Sequence, residues 1–306
     1  MPRWLRGCST SSSITAAAVL QLAEREVVAL DAPAERYIDG FPYGSAVTIR
    51  QLLAHTSGIA NPIPLRWVHP AAAHAAFDER AALTAVLARY PRLASRPGRK
   101  YRYSNIGYWL LGRVVESASG EQFQAYVTRH VLQALGIEPA ALGYGVARPG
   151  DLAMGYLEKF SLMNLVKGLF IDRALVGATQ SNWVEIRSHY LNGPAFGGLV
   201  GSARGFAAFL QDQLRPSSAV LGDAGRRFFY EPQFTARGSA VPMTLGWHIG
   251  SLAGTRHFYK EGGGGGFRSM MRLYPAKGIG TVVLVNATGF DVRGLLDTID
   301  PAFFGS

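Results

Sequence analysis

Three groups of residues in this 306-residue chain combine types and spacings suited to chemistry. The first is a hydroxyl run, Ser9-Thr10-Ser11-Ser12-Ser13, just ahead of an apolar stretch. The second is Tyr103-Ser104-Asn105, a phenol and an amide in the turn before a helical pattern. The third is Lys260-Glu261-Gly262, which opens the glycine run 262–266 between two strand-like segments. Hydroxyl, phenol, amide and amine groups can donate and accept protons, the raw material of acid–base and nucleophilic catalysis. Other chemistries lose weight. No serine stands in a G-x-S-x-G elbow, and no H-E-x-x-H, P-loop or G-x-G-x-x-G opening a helix after a strand is present. His69 and His74, five apart with alanines between them, are not read as a metal site. A single cysteine, Cys8, excludes an internal disulfide framework and a cysteine zinc cluster.

Further segments share an order with these groups. Thr15-Ala16-Ala17-Ala18-Val19-Leu20-Gln21-Leu22 leads to Leu30-Asp31-Ala32-Pro33, and Ile49 to Ile59 reads Ile-Arg-Gln-Leu-Leu-Ala-His-Thr-Ser-Gly-Ile. Tyr103-Ser104-Asn105 is followed by Ile106-Gly107-Tyr108, then Gly197 to Arg204, then Lys260-Glu261-Gly262. Together, from residue 14 onward, the chain resembles the class C beta-lactamase and penicillin-binding-protein family of serine hydrolases, nearest to its esterase-like members.

The resemblance implies a nucleophile at Ser9, a proton relay through Tyr103, and Asn105 hydrogen-bonded to the substrate carbonyl or the relay. It implies that Lys260 holds a positive potential over the cleft from an edge strand, lowering the tyrosine pKa. Gly262 belongs to the same Lys-x-Gly motif, and the N–H of Gly263 with that of Ser9 would form an oxyanion hole. Neither metal nor organic cofactor is implied. His55 is expected to hold the loop after its helix rather than to act as a base. Trp183, Trp247 and Tyr259 could line an acyl pocket, with plain aromatic packing the simpler account.

Two departures stand at the centre of the match. Alignment on Thr15 to Leu22 puts the family's lysine at position 12, so its Ser-x-x-Lys reads Ser9-Thr10-Ser11-Ser12, and no lysine occurs before Lys100. Ser11 and Ser12 then read as helix caps. The family also places two or more strands before its nucleophile, and eight residues cannot supply them. The start is expected to be truncated or altered, leaving about four strands with a bare edge.

The elements that must position these residues follow from periodicity. Ile14, Ala18 and Leu22 fall on one stripe of a buried helix running from near Ser11 to Ala29. Val47 to Leu53 opens a short helix, Ile106 to Ser117 a longer one closed at Gly120, and Ala203 to Leu214 an amphipathic one. Thr244–Leu252, Thr255–Lys260, Phe267–Tyr274 and Gly280–Asn286 read as antiparallel strands, with a last helix at Val292–Ile299. Helices first and strands last give an α+β fold, with an antiparallel sheet packed by helices and a helical lobe opposite. We expect one beta-lactamase/transpeptidase-like unit over 1–306, comprising the nucleophile helix (1–30), a mainly helical lobe (31–196) and the C-terminal sheet and helix (197–306).

Composition adds bounds. The net charge of +10 comes from 26 arginines and only five lysines against 21 acidic residues, scattered rather than blocked, so a nucleic-acid surface is not indicated. No apolar run reaches the roughly 20 residues of a membrane span, and no signal peptide is visible in the chain as given. The function expected is a serine hydrolase, carboxylesterase-like or beta-lactamase-like, acting on small esters or amides and slowed by the missing lysine. The alternative is a non-catalytic pseudoenzyme that binds acyl or peptide ligands in the retained cleft.

Overall fold

The computed structural model describes residues 4–62, 67–145, 149–160 and 172–305. Strand β1 (Leu5–Arg6) leads through a 3-10 turn at Cys8–Thr10 into helix α1 (Ser11–Glu24). Next come α2 (Ile49–Leu53), β2 (Val68–Pro70), α3 (Glu79–Arg89), α4 (Asn105–Ser119) and α5 (Phe123–Val127). A region of short strands follows: β3 (Leu142–Gly143), β4 (Gly155–Glu158), β5 (Val176–Gln180), β6 (Trp183–Ile186), β7 (His189–Leu191) and β8 (Val200–Gly201). Helices α6 (Ala203–Leu214) and α7 (Asp223–Tyr230) precede β9 (His248–Leu252), β10 (Thr255–Gly264), β11 (Phe267–Tyr274), β12 (Ile279–Val285) and α8 (Val292–Ile299).

The last four strands form an antiparallel sheet in the order β12-β11-β10-β9, so the fold is α+β as expected. Helix α1 is buried from Ser11 to Leu22 because apolar residues surround it on every side rather than on one stripe. It packs against α4 and α7, and shares one hydrophobic core with Phe258, Met271 and Leu273 of the sheet. Its end is fixed by charge: the Glu24 carboxylate accepts the N–H groups of Gly222 (3.0 Å) and Gly225 (2.7 Å) at the start of α7. Thr48 and Gln51 form a reciprocal capping box on α2.

Several boundaries differ from the sequence pattern. Helix α1 stops at Glu24 rather than Ala29, since Glu26 turns left-handed (φ 60°) and the Val27 and Val28 N–H groups close back on the Leu22 carbonyl. Strand β9 starts at His248 rather than Thr244 because Thr244 and Trp247 clasp each other in a turn around Gly246. Strand β10 runs four residues past Lys260, so most of the glycine run is paired strand. Only Gly265 and Gly266 (φ 60° and 88°) form the two-residue turn, which needs positive φ at both positions. The edge position expected for Lys260 holds for that half of β10 alone, because β9 pairs with β10 only over Thr255–Tyr259.

The short segment ahead of the hydroxyl run also contributes a strand: β1 joins β8 and β3 in a small separate sheet. The main sheet keeps four strands, and β12 stands at its edge with Val282 to Val285 half-buried. No helix among the described residues is long and apolar enough to cross a membrane.

The sheet and α8 are joined by a buried ionic knot. Arg272 donates to Asp297 (2.6 Å) and Asp300 (3.2 Å), and the Tyr274 hydroxyl donates to Asp300 at 2.7 Å. Arg272 and Asp300 are both buried, and deleting Arg272 leaves the Asp300 carboxylate enclosed without its cation. Arg272→Ala is expected to cost about 3–5 kcal/mol, read as a lower urea midpoint at unchanged slope. A loss under about 1 kcal/mol would show that the knot does not hold the helix to the sheet.

Candidate active site

Ser9 lies in the 3-10 turn before α1, half-buried at the positive end of a 14-residue helix. Gly7, Thr10 and Ser11 have right-handed helical backbone, whereas Cys8 is held at φ 46°, a conformation that costs a non-glycine residue on the order of 1–3 kcal/mol. This kink immediately precedes Ser9 and presents it to the cleft. The turn is clamped from the sheet, where the Ser269 hydroxyl donates to the Gly7 carbonyl at 2.6 Å.

The hydroxyls that follow do not cap the helix, contrary to the expectation for Ser11 and Ser12. Thr10 occupies the N-cap without capping the helix, its hydroxyl donating to the Gly7 carbonyl instead, and Ser11 accepts the Leu199 N–H at 3.3 Å. Ser12 donates to the Phe196 carbonyl at 3.3 Å, Ser13 to Gly246 at 2.8 Å and Thr15 to Ala195 at 2.7 Å. The reason is burial: each hydroxyl on an enclosed helix must find a partner, and the neighbouring 194–199 segment offers free carbonyls.

Asn105 lines the same cleft and Tyr103 comes beside Ser9 because Ser104, between them, is the N-cap of α4. Its hydroxyl accepts the Gly107 N–H (3.1 Å) and donates to the Ala60 carbonyl (3.0 Å), fixing the turn from both sides. The Tyr103 hydroxyl donates to Asn105 Oδ1 at 3.0 Å. Burial raises the phenol's pKa, partly offset by interaction with Ser9 close by. His55 is buried, in the left-handed region, with its ring 4.4 Å from that of Tyr103. Its Nδ1 accepts the Ser104 N–H (3.2 Å), and burial with Lys260 nearby pushes its pKa well below 6.5. A neutral histidine locking the Tyr103 turn fits its expected structural part.

Lys260 is fully buried, with its Nζ 5.8 Å from the Tyr103 ring centre and 5.0 Å from that of Tyr108. It has no hydrogen-bond partner among the described residues, and burial lowers its pKa from 10.5 to about 7. The tyrosine pKa moves up by burial rather than down, against the expected effect of Lys260. The amine itself is driven toward neutrality. Gly262 passes directly behind the nucleophile: a Cβ there would lie 2.6 Å from the Ser9 nitrogen and 2.8 Å from the Gly7 oxygen, so only glycine lets β10 approach. Ser9, Asn105 and Gly263 line one cleft.

Other candidates lie apart. Trp183 is exposed, Trp247 packs in the core against Phe209 and Phe229, and Tyr259 stacks on His248 beneath Arg293; none lines the Ser9 cleft. His69 and His74 hydrogen-bond to each other at 2.9 Å, and among the described residues no group of three metal-ligating side chains gathers. Three neighbours had no signal in the sequence. His248 bonds to Tyr101 (3.0 Å) beside Tyr103, His189 lines the cleft, and Arg6 lies three residues before Ser9.

The family model described as Beta-lactamase matches residues 4–301. Penicillin-binding protein 4* of Bacillus subtilis (strain 168) is 25% identical over 276 residues, 87% of this chain and 57% of that protein. Protein flp of Staphylococcus aureus (strain MW2) is 22% identical over 298 residues, 95% of this chain and 54% of flp. The chain thus spans little more than half the length of these relatives. The structure of D-amino acid amidase from Ochrobactrum anthropi SV3, complexed with D-phenylalanine, superposes with a TM-score of 0.80 at 17% identity, covering 99% of this chain and 86% of that one. The penicillin binding protein from Bacillus halodurans gives 0.73 at 22% identity, covering 98% and 85%. At these identities the likeness is one of fold.

The buried amine has a measurable consequence for stability. In the unfolded chain Lys260 binds its proton up to pH 10.5, in the folded chain only up to about 7, so folding releases a proton between those values. Stability from this group therefore rises with pH across that window, and the penalty of the buried cation is complete below it. Lys260→Met should raise the thermal midpoint by roughly 4 °C or more at pH 6, an advantage that shrinks toward pH 10. A gain independent of pH would mean that the amine stays charged in the fold.

Proposed function

The chain belongs to the beta-lactamase family, the penicillin-binding-protein-like serine hydrolases, and on that footing we propose that it hydrolyses small esters or amides through an acyl-enzyme at Ser9. The observation that carries this reading is the placement of Ser9. It stands at the start of a buried helix, beside the Tyr103 hydroxyl, in a cleft shared with Asn105 and Gly263.

In the proposed reaction Ser9 Oγ bonds to the substrate carbonyl carbon and its proton passes to Tyr103. The N–H groups of Ser9 and Gly263 receive the oxyanion, the bond to the leaving group breaks, and the phenol returns a proton to the departing oxygen or nitrogen. Water then attacks the Ser9 ester, giving its proton to the relay as Ser9 recovers its own. A protonated phenol can take the Ser9 proton only by giving up its own, and the proposed acceptor is neutral Lys260, whose Nζ lies 5.8 Å from the Tyr103 ring centre, with the hydroxyl turning from Asn105 toward the amine for the transfer. The motif lysine at position 12 is absent, and general-base assistance typically contributes ~10²–10⁴ in rate, so turnover is expected to be slow.

A second reading, a non-catalytic cleft that binds acyl or peptide ligands, is favoured by position 12. The Ser12 hydroxyl is engaged with the Phe196 carbonyl and takes no part at Ser9. The two readings part on covalent labelling: a fluorophosphonate should add to Ser9, seen by peptide mass, and an unlabelled Ser9 would leave only the binding module.

Two kinetic outcomes follow from the hydrolase mechanism. Because the neutral form of Lys260 is the acceptor, kcat/KM for nitrophenyl acetate should increase as pH rises through about 7, and Lys260→Met should flatten that limb. Ser12→Lys, one helical turn from Ser9, should raise nitrophenyl butyrate turnover by ~10-fold or more. Combining it with Ser9→Ala should abolish the gain; activity surviving in the double variant would remove Ser9 from the nucleophile's role.

A further inference from the structure

The cleft that holds Ser9 is walled by apolar side chains, among them Leu157, Ile186, Leu191 and Phe196, yet it contains the guanidinium-bearing side chain of Arg6. Arg6 is 6% exposed, held on β1 between the rings of Tyr190 (5.5 Å) and Phe267 (5.9 Å). Its Nε and Nη2 are enclosed with no hydrogen-bond partner. No ion pair forms between Arg6 and any described carboxylate, and residues 1–3, 63–66, 146–148, 161–171 and 306 include no aspartate or glutamate. The neighbouring His189 can carry only positive charge or none, and burial, with Arg6 nearby, drops its pKa to about 3 and keeps it neutral.

An enclosed cation without a partner is costly, and arginine cannot escape by deprotonation near neutral pH, its pKa being lowered by burial only to about 10. Protein side chains supply Arg6 with stacking surfaces but no anion. A planar carboxylate could occupy both arms of the fork, whereas a phosphate would leave acceptor oxygens unsatisfied against the apolar walls.

Resting on the acyl-enzyme reading above, we propose that this cleft selects acyl groups ending in a distal carboxylate, which Arg6 binds while Ser9 attacks the other end. Arg6 is buried and lines the same cleft as Ser9, so in this proposal the carboxylate it holds belongs to the acyl group retained on Ser9, and the leaving group is the part that departs. Ser9 is three positions after Arg6, with Gly7 and Cys8 between them, placing their Cα atoms no more than about 11 Å apart. A short dicarboxylic half-ester or half-amide fits that span, with the methylenes against the apolar walls.

The test compares nitrophenyl adipate monoester, which carries the free carboxylate, with the same ester capped as its methyl ester, after subtracting background hydrolysis. The wild-type protein should favour the carboxylate in kcat/KM by about 10-fold or more, the range of one charge-assisted hydrogen-bonded pair. Arg6→Gln should bring the ratio to one or below, while Arg6→Lys, which keeps the charge without the fork, should retain part of it. Preference arising from the overall positive charge would survive Arg6→Gln and overturn the proposal, as would equal turnover of the two esters by the wild-type protein; both leave the hydrolase reading standing. If neither ester turns over, calorimetry with adipate on the Ser9→Ala protein decides separately. Binding lost in Ser9→Ala with Arg6→Gln would sustain the carboxylate site and overturn the hydrolase reading, and no adipate binding would overturn both.

Discussion

Complete burial of helix α1 is the constraint on which the rest of the structure depends. A helix enclosed on every side can expose no hydroxyl to water, so Ser11, Ser12, Ser13 and Thr15 are each tied to a neighbouring strand or turn. Those ties fix the rotation and depth of the helix, and with them the turn that presents Ser9. The clamp of Ser269 on Gly7 and the close passage of Gly262 behind Ser9 then join the sheet to the same turn. Three separate stretches of chain meet at one residue because a buried polar surface must be matched atom for atom.

The same enclosure sets the electrostatics. Two cations, Lys260 and Arg6, lie buried near Ser9 without protein counter-charges among the described residues, and low polarity acts on them differently. An amine responds by shedding its proton, which turns Lys260 from a fixed charge into an acceptor of about the right strength. A guanidinium keeps its proton and remains a standing demand for an anion. Near Ser9 there are therefore one titratable and one permanent cation, Lys260 against the Tyr103 ring and Arg6 in the lining of the apolar cleft.

Strand β1 is only two residues long and pairs away from the main sheet, so β12 keeps an open edge with half-buried aliphatic residues. Unpaired edges invite further strands. The Arg272–Asp300 knot beneath α8 anchors that side of the sheet without depending on the open edge.

The sequence by itself determined the order of elements, the α+β class and the motif residues. Periodicity and glycine placement are local properties, and the helices at Ala203–Leu214 and Val292–Ile299 follow from them to the residue. It also determined what is absent at position 12. Tertiary structure alone decided how far the chemistry departs from the motif's usual logic, because proton affinity depends on enclosure and not on neighbours in sequence. A lysine on a strand reads as a solvated charge until burial shows it near neutrality, and the serines of a hydroxyl run read as caps until the 194–199 segment claims them. Arg6 carried no signal among 26 arginines. Only the meeting of β1 with residues nearly two hundred positions away encloses it, since desolvation belongs to the folded surroundings and leaves no trace in composition or spacing.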